Sequence, residues 1–315
     1  MRDLRIVFMG TPEFAATTLA RLVEENYNVV GVITAPDRPA GRGRKLQQSD
    51  VKKYAIAHNL KVLQPTNLKN EAFLDTLKAI NANLQIVVAF RMLPRAVWSM
   101  PEYGTFNLHA SLLPDYRGAA PINWVLINGE TETGVTTFFI DDKIDTGEII
   151  LQEKIDIEKD ENAGTLHDKL MNLGAQLVLK TVHVIERATV KTKKQTSDKK
   201  LKEAHKIHKD TCKVDWTQSP ATIHNHIRGL SPYPTAWTTL VNGPEEIFVK
   251  IYKSAVEIID HKLKNGTVHC TKKELKVAVE NGYIKLLEIQ LPGKRKMKTQ
   301  EVLNGLQIKN NAHML

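Results

Sequence analysis

The chain has 315 residues, 42% hydrophobic and 25% charged, with a formal net charge of +9. That length exceeds what one hydrophobic core usually serves, so two domains are expected, and the ordinary composition excludes a largely disordered chain. Cys212 and Cys270 are the only cysteines and lie far apart, so neither a disulfide framework nor a zinc site is suggested, and no apolar run is long enough for a signal segment or membrane span; a cytoplasmic location with no membrane partner is the default.

Residues 5–9 read as a buried strand, after which Gly10-Thr11-Pro12 turns the chain into a helix reaching about residue 25, with Thr11 as N-cap and Pro12 at the first helical position. The glycine there invites a dinucleotide reading, but G-x-G-x-x-G is absent and Pro12 stands where a second glycine would let a pyrophosphate approach. Residues 29–34 give a second strand. Pro36, Pro39, Gly41 and Gly43 then prevent a helix or central strand, so Arg38, Arg42, Arg44 and Lys45 project from a loop into solvent. Four cations on one loop beside a strand end suit phosphates; a solvated turn that serves solubility is the plainer alternative.

Ser49 caps a helix to about residue 58, residues 61–63 form a short strand, 70–79 a helix, 85–89 an all-apolar strand, 94–99 a short helix, 105–109 a strand and 121–128 a helix. Continuous apolar strands alternating with helices imply an α/β fold with a doubly wound, mainly parallel sheet and helices on both faces. In such sheets ligands lie outside the carboxyl ends of the strands. Residues 133–140 and 148–157 look like late strands around a loop that holds Asp145, and 162–186 like a long amphipathic helix. The first domain spans 1–189.

Residues 190–206 lack apolar periodicity and read as a basic linker. Beyond it, a short helix near 222–228 is followed by strands at 247–252, 255–259, 267–270, 275–279 and 283–290, which suits a small β-barrel, best matched by an OB-fold, over 207–315. Residues 206–315 carry a net +7, from 17 basic against 10 acidic side chains. The basic excess of this part points to a polyanionic partner such as nucleic acid.

Asn107 and His109 stand two apart at the end of the 105–109 strand, so both leave one face while Phe106 and Leu108 take the other. A carboxamide N–H and an imidazolium can both donate to an oxygen that becomes negative in a tetrahedral intermediate, and an imidazole oriented by a carboxylate can move protons; acyl or formyl transfer to nitrogen fits. From spacing alone, two hydrogen-bonded polar residues at a strand end remain the blander reading.

The surrounding letters, Asn107-x-His109-x-Ser111-Leu112-Leu113-Pro114-x-x-x-Gly118 with Asp145-x-Gly147 further on, resemble the formyltransferases that use 10-formyltetrahydrofolate. The resemblance implies that Asn107 binds the formyl oxygen, that His109 stabilises the oxyanion and passes protons, and that Asp145 sets the charge and orientation of His109, with no metal. It also implies a tetrahydrofolate pocket lined by Phe90, Met92, Leu93, Ser111, Leu112, Leu113 and Pro114. Gly10-Thr11-Pro12-Glu13-Phe14-Ala15, the loop 36–45, Asp215-Trp216, Arg228, the segment 232–237 and Gln290-Leu291-Pro292-Gly293-Lys294 extend the likeness over nearly the whole chain, toward the branch that formylates methionine on initiator methionyl-tRNA. In that branch the second domain is an OB-fold that contacts tRNA and the basic loop enters the acceptor region, which singles out Arg42; a monomer acting in translation initiation is implied.

Arg91 departs from the pattern, because many members have glycine there. If that glycine served a positive φ, Arg91 would be strained; its side chain would reach solvent or a carboxylate of the folate tail. An amino sugar, glycinamide ribonucleotide or water as formyl acceptor is the nearest competing reading, and the basic loop and basic second domain speak against all three. A noncatalytic RNA-binding protein would leave Asn107, His109 and Asp145 unexplained.

Overall fold

The structure is a computed structural model that describes residues 1–40, 45–196 and 200–315. The chain divides into two compact units, one of Met1–Gly118, Thr133–Ile155 and Asp168–Glu203, the other of Ala119–Glu132, Asp156–His167 and Ala204–Leu315.

The elements run β1 (Ile6–Gly10), α1 (Glu13–Glu24), β2 (Val29–Ile33), β3 (Arg38–Ala40), β4 (Lys45–Gln47), α2 (Asp50–Ala57), β5 (Val62–Leu63), α3 (Glu71–Ala79), β6 (Leu84–Val88), α4 (Arg95–Trp98) and β7 (Thr105–His109). After β8 (Arg117–Gly118) and α5 (Pro121–Ile127) come β9 (Glu132–Phe139), β10 (Ile149–Asp156) and α6 (Ala163–Glu186). The main sheet of the first unit has the order β10-β9-β7-β6-β1-β2-β5. Its strands β5, β2, β1, β6 and β7 are parallel, and β9 lies antiparallel against β7. The chain builds outward from β1 through β2 and β5, then returns to the other side of β1 with β6 and continues to β7, which makes a switch point between β1 and β6, one strand from β7.

Period-two alternation sorts the two faces. Val7, Met9, Ile33 and Val87 pack with Leu77 of α3 and Val97 of α4. On the opposite face Leu108 of β7 packs against Gly174 of α6, and α6 meets α1 where the Thr17 hydroxyl donates to Met171 Sδ at 3.2 Å. The parallel register Met9↔Val87 and Val87↔Asn107 therefore assigns Asn107, and His109 with it, to the face covered by α3 and α4, at the carboxyl end of β7.

Two local features differ from the sequence reading, and one agrees with it. Helix α1 starts at Glu13 with Pro12 at the cap and no side-chain cap bond, so Thr11 does not cap it. The basic loop is bracketed by a two-stranded hairpin, β3 with β4, because an isolated pair tolerates the prolines that a central strand would not. Among the described residues Ser49 caps α2 as expected, accepting from the Lys52 N–H at 3.0 Å.

After β11 (Glu203–Ala204), the second unit adds α7 (Pro220–Gly229), β12 (Ala236–Asn242), β13 (Glu245–Ile258), β14 (Val268–Cys270), β15 (Leu275–Val279), β16 (Gly282–Gln290), β17 (Met297–Lys298), α8 (Thr299–Leu303) and β18 (His313–Met314). Its sheet runs β14-β15-β16-β13-β12-β18, and an antiparallel bridge between Thr267 and His313 brings the two ends together into a nearly closed barrel. The stretches expected as two strands at 247–252 and 255–259 are one long strand, β13, whose register against β16 shifts near Lys253; the irregularity bends the strand without ending it. Strand β12, absent from the sequence reading, supplies Ala236 and Leu240 to a core shared with Val249, Ile251, Val277 and Ile284, under Ile223 and Ile227 of α7.

Candidate active site

His109 ends β7, and its ring is almost enclosed, at 6% exposure. Nε2 lies 2.8 Å from the carbonyl oxygen of Tyr116. A carbonyl only accepts, so Nε2 carries the hydrogen and Nδ1 is the nitrogen left to gain and lose a proton. Nδ1 faces the Asp145 carboxylate at 3.8 Å, within ion-pair range and longer than a direct hydrogen bond. The Tyr116 carbonyl is aimed by a backbone turn at φ +61°, and the Tyr116 N–H donates to Lys202 O at 2.6 Å.

Asp145 is held as tightly. Its Oδ2 accepts from the Gly118 N–H at 3.0 Å, which fixes the carboxylate beside the ring. Its backbone takes φ +54°, a left-handed conformation that aspartate tolerates better than most residues. Two residues on, a Cβ at Gly147 would collide with the Phe139 carbonyl oxygen, so only glycine lets the loop return to β10 this closely. Gln195 closes the frame: its Nε2 donates to the Asp145 and Gly147 carbonyls at 3.0 and 2.8 Å, and its Oε1 accepts from Nε and Nη2 of Arg117 at 3.0 and 2.7 Å. The backbone of Lys193 also pairs with Ile149 in both directions. This charged stretch docks through polar groups, which is why apolar periodicity gave no sign of it.

Asn107 is half-buried, on the same strand face as His109 and opposite Phe138 in the register. Thr136, opposite His109, anchors the loop that follows: its hydroxyl donates to Ser111 O at 2.7 Å and accepts from the Leu113 N–H at 3.2 Å. Gln152 Nε2 adds a bond to Leu113 O at 2.9 Å, and the buried Ser111 hydroxyl donates to Asp115 O at 2.8 Å. Thus His109 and Asp145 belong to one braced assembly, and Asn107 stands two residues before His109 on the same strand face. Together they offer hydrogen-bond donors on one face of a strand and a nitrogen whose protonated form has a carboxylate partner, an arrangement suited to holding charge on oxygen and moving a proton.

The expected folate-lining residues are distributed unequally. Leu93 is buried in the cluster with Val7 and Val97, Leu113 is buried with Phe138 and Ile149, Ser111 is fully buried, Phe90, Leu112 and Pro114 are half-buried, and Met92 is 69% exposed. Arg91 is free of the strain a positive φ would impose; the left-handed residue is Ala89, at φ +47°. Arg91 donates through Nη1 to Thr66 O at 2.9 Å and through Nη2 to Pro65 O. Of the basic loop, Arg38 is exposed on β3 and Lys45 opens β4, whereas Arg42 and Arg44 lie outside the described residues.

The second unit carries a surface that the sequence reading missed. On β12 and β13 the outward residues include Trp237, Phe248, Lys250 and Tyr252, while Ala236, Val249 and Ile251 point into the barrel. The Trp237 ring also packs against the barrel core, and its indole N–H donates to Lys209 O at 2.9 Å; it lies 5.2 Å from the Phe248 ring, Nζ of Lys209 and of Lys213 lie 5.8 and 6.0 Å from it, and Nζ of Lys296 lies 5.4 Å from the Tyr252 ring. The aromatic and β-branched residues of 236–242 were the available signal, since the letters Ala-Trp-Thr-Thr-Leu-Val-Asn do not themselves alternate.

A strand-end amide and imidazole, with a loop carboxylate facing the imidazole, suit group transfer, and the family comparisons show the class: the chain is a transferase. The model described as "Formyl transferase" matches residues 4–182, and that described as "Formyl transferase, C-terminal domain" matches residues 206–307; the chain belongs to this formyl transferase family. Among its relatives, a methionyl-tRNA formyltransferase of Flavobacterium johnsoniae is 59% identical over 99% of both chains. One of Bacteroides thetaiotaomicron is 53% identical over 99% of this chain and 98% of its own. Among solved structures, a sugar 3N-formyl transferase, WlaRD, crystallised with dTDP and 5-N-formyl-THF, shares the fold at TM-score 0.66 and 22% identity, covering 94% of this chain and 100% of its own. HypX of Aquifex aeolicus with tetrahydrofolic acid gives TM-score 0.64 at 17% identity over 96% of this chain and 47% of that one.

Proposed function

We propose that the protein transfers the formyl group of 10-formyltetrahydrofolate to the α-amine of methionine on initiator methionyl-tRNA, with Asn107, His109 and Asp145 as the catalytic residues. The observation that carries this is the arrangement at His109: Nε2–H is committed to the Tyr116 carbonyl, Nδ1 faces Asp145, and the Asn107 carboxamide shares the strand face. The full-length relatives are methionyl-tRNA formyltransferases, and that supports this acceptor over an amino sugar.

The α-amine, with an ordinary pKa of about 7.7 to 8.0, must lose a proton before or during attack. Its nitrogen forms a bond to the formyl carbon as the amine proton passes to water, and the carbonyl electron pair moves onto oxygen, where the Asn107 N–H and the protonated His109 Nδ1 donate to it. Collapse re-forms the carbonyl, breaks the bond to N10 of the folate and returns a proton to N10, with His109 passing protons through water and Asp145 stabilising the imidazolium. Side-chain donors suffice, so the step needs no metal. Phe90, Met92, Leu93, Ser111, Leu112, Leu113 and Pro114 would form and support the folate-side wall, with the half-buried Phe90, Leu112 and Pro114 nearest solvent.

For the tRNA, the basic hairpin with Arg38, Arg42, Arg44 and Lys45 would meet acceptor-end phosphates, and the aromatic and lysine face of β12 and β13 would take RNA, since rings stack on bases while ammonium groups meet phosphates. On this reading residues 1–189 are the catalytic domain, 190–206 a basic linker and 207–315 the tRNA-binding domain of a cytoplasmic monomer. No helix among the described residues is long and apolar enough to cross a membrane. The test supplies labelled formyl donor with initiator methionyl-tRNA, elongator methionyl-tRNA or amino sugars in separate reactions. Label in the initiator methionyl-tRNA alone is expected; preferential labelling of an amino sugar, or release of free formate, overturns the reading.

A further inference from the structure

The chain leaving β6 turns at Ala89, with φ +47°, and lays Phe90 against the cluster that includes Leu63, Leu93 and Val97. Arg91 then reaches across to the segment following β5, where its guanidinium grips two consecutive carbonyls, Pro65 O and Thr66 O, and lies 5.5 Å from the centre of the Phe90 ring. A planar fork can satisfy two backbone acceptors at once, which an ammonium cannot do in the same way. Partial desolvation lowers the pKa of the otherwise exposed Arg91, and the Arg38 cation lowers it further.

The adjoining residue carries the connection to that hairpin. Gln64 Nε2 donates to Ala35 O and to Asp37 Oδ1, both at 2.8 Å, and Asp37 Oδ2 takes the ammonium of Lys52 at 2.6 Å. The hydrogen bonds from Lys52 and Gln64 hold the Asp37 carboxyl below its ordinary range, so it stays ionised and keeps both partners. Asp37 directly precedes β3. A continuous set of polar contacts therefore runs from the loop after β6, through residues 64–66, to the base of the basic hairpin.

We propose that Arg91 is a positioning residue that braces the hairpin base against the folate-side loop, so that the acceptor-end contact and the donor wall are set by one shared frame. This rests on the assignment of those two loops under the proposed function. Nothing in the brace touches the reacting atoms. Its loss should leave the chemical step intact and weaken productive tRNA engagement.

Arg91→Ala should raise KM for methionyl-tRNA about tenfold, the equivalent of one charge-assisted hydrogen bond, with kcat changed less than about twofold. Arg91→Lys should recover only part of the loss. Gln64→Ala should raise the same KM, and the double variant should do no worse than the poorer single one, because the two side chains act in one network. Amide hydrogen exchange without substrate separates the brace from the assigned reaction: Arg91→Ala should speed exchange in residues 38–40 and 45–47 and leave residues 105–109 unchanged. Failure of the wild type to formylate methionyl-tRNA would remove the assigned reaction while hairpin exchange still reports the brace. Unchanged hairpin exchange, fully additive KM effects, or a tRNA KM that stays at the wild-type value would overturn the proposal.

Discussion

The His109 assembly and the outer face of β12 and β13 differ in how their polar groups are held. In the first, groups are held one by one: a carbonyl fixes one ring nitrogen of a buried histidine, a backbone N–H fixes the facing carboxylate, and Gln195 fixes the loop that presents it. The second is half-exposed, with rings and ammonium groups on a regular sheet and many ways to meet a partner. Charge that develops on one atom is stabilised best by groups already aimed at it, which demands a frame that cannot relax. A large flexible polyanion is held by area and charge, where sub-ångström placement matters less.

The sharpest way to break this contrast is to remove one charge from the framed site. Asp145→Asn preserves an oxygen that can accept from the Gly118 N–H but removes the counterion of His109 Nδ1; kcat should fall about 100- to 10,000-fold with little change in thermal stability. A rate within tenfold of wild type in single-turnover kinetics would show that Asp145 only builds the loop. On the open face, Trp237→Ala should weaken tRNA binding about 5- to 100-fold, the range for one lost stacking platform, and leave the chemical step unchanged at saturating tRNA. Unaltered binding, with the barrel still folded by circular dichroism, would remove that surface from the RNA contact.

The smallest expected effect concerns stability of the second unit. Burial lowers the pKa of His224, helped by the Arg228 cation, and lowers that of His226 despite its bond to the Cys212 backbone. Both histidines are thus kept neutral when folded, while the unfolded chain protonates them near its ordinary pKa of about 6.5. Their stabilising contribution is full above that pH and is lost as pH falls below it. His224→Gln should flatten the fall in Tm between about pH 7 and pH 5 relative to wild type; an identical slope would contradict the assignment.

How much of this was legible in the letters depended on the range of the forces involved. Strand alternation alone assigned Asn107 and His109 to one face, because that periodicity is local. The Tyr116 carbonyl and Gln195 were invisible: one depends on a left-handed turn at a non-glycine residue, the other on an amide 50 residues from Asp145 in sequence. Arg91 shows the same limit. Reading it as a strained replacement for glycine placed the positive φ two residues too late, whereas Ala89 takes the turn and frees Arg91 to reach Pro65 and Thr66. In the barrel, apolar runs located the core of β13 but split it at its bulge, where two strands and one bent strand share the same pattern.

The central claim is that formyl transfer depends on donors held in place around His109. Its most direct test is single-turnover transfer by Asn107→Ala, with tRNA binding measured on the same preparation. The account predicts a rate reduced about 100- to 1000-fold at nearly unchanged tRNA affinity. Transfer at close to the wild-type rate by this variant would contradict it.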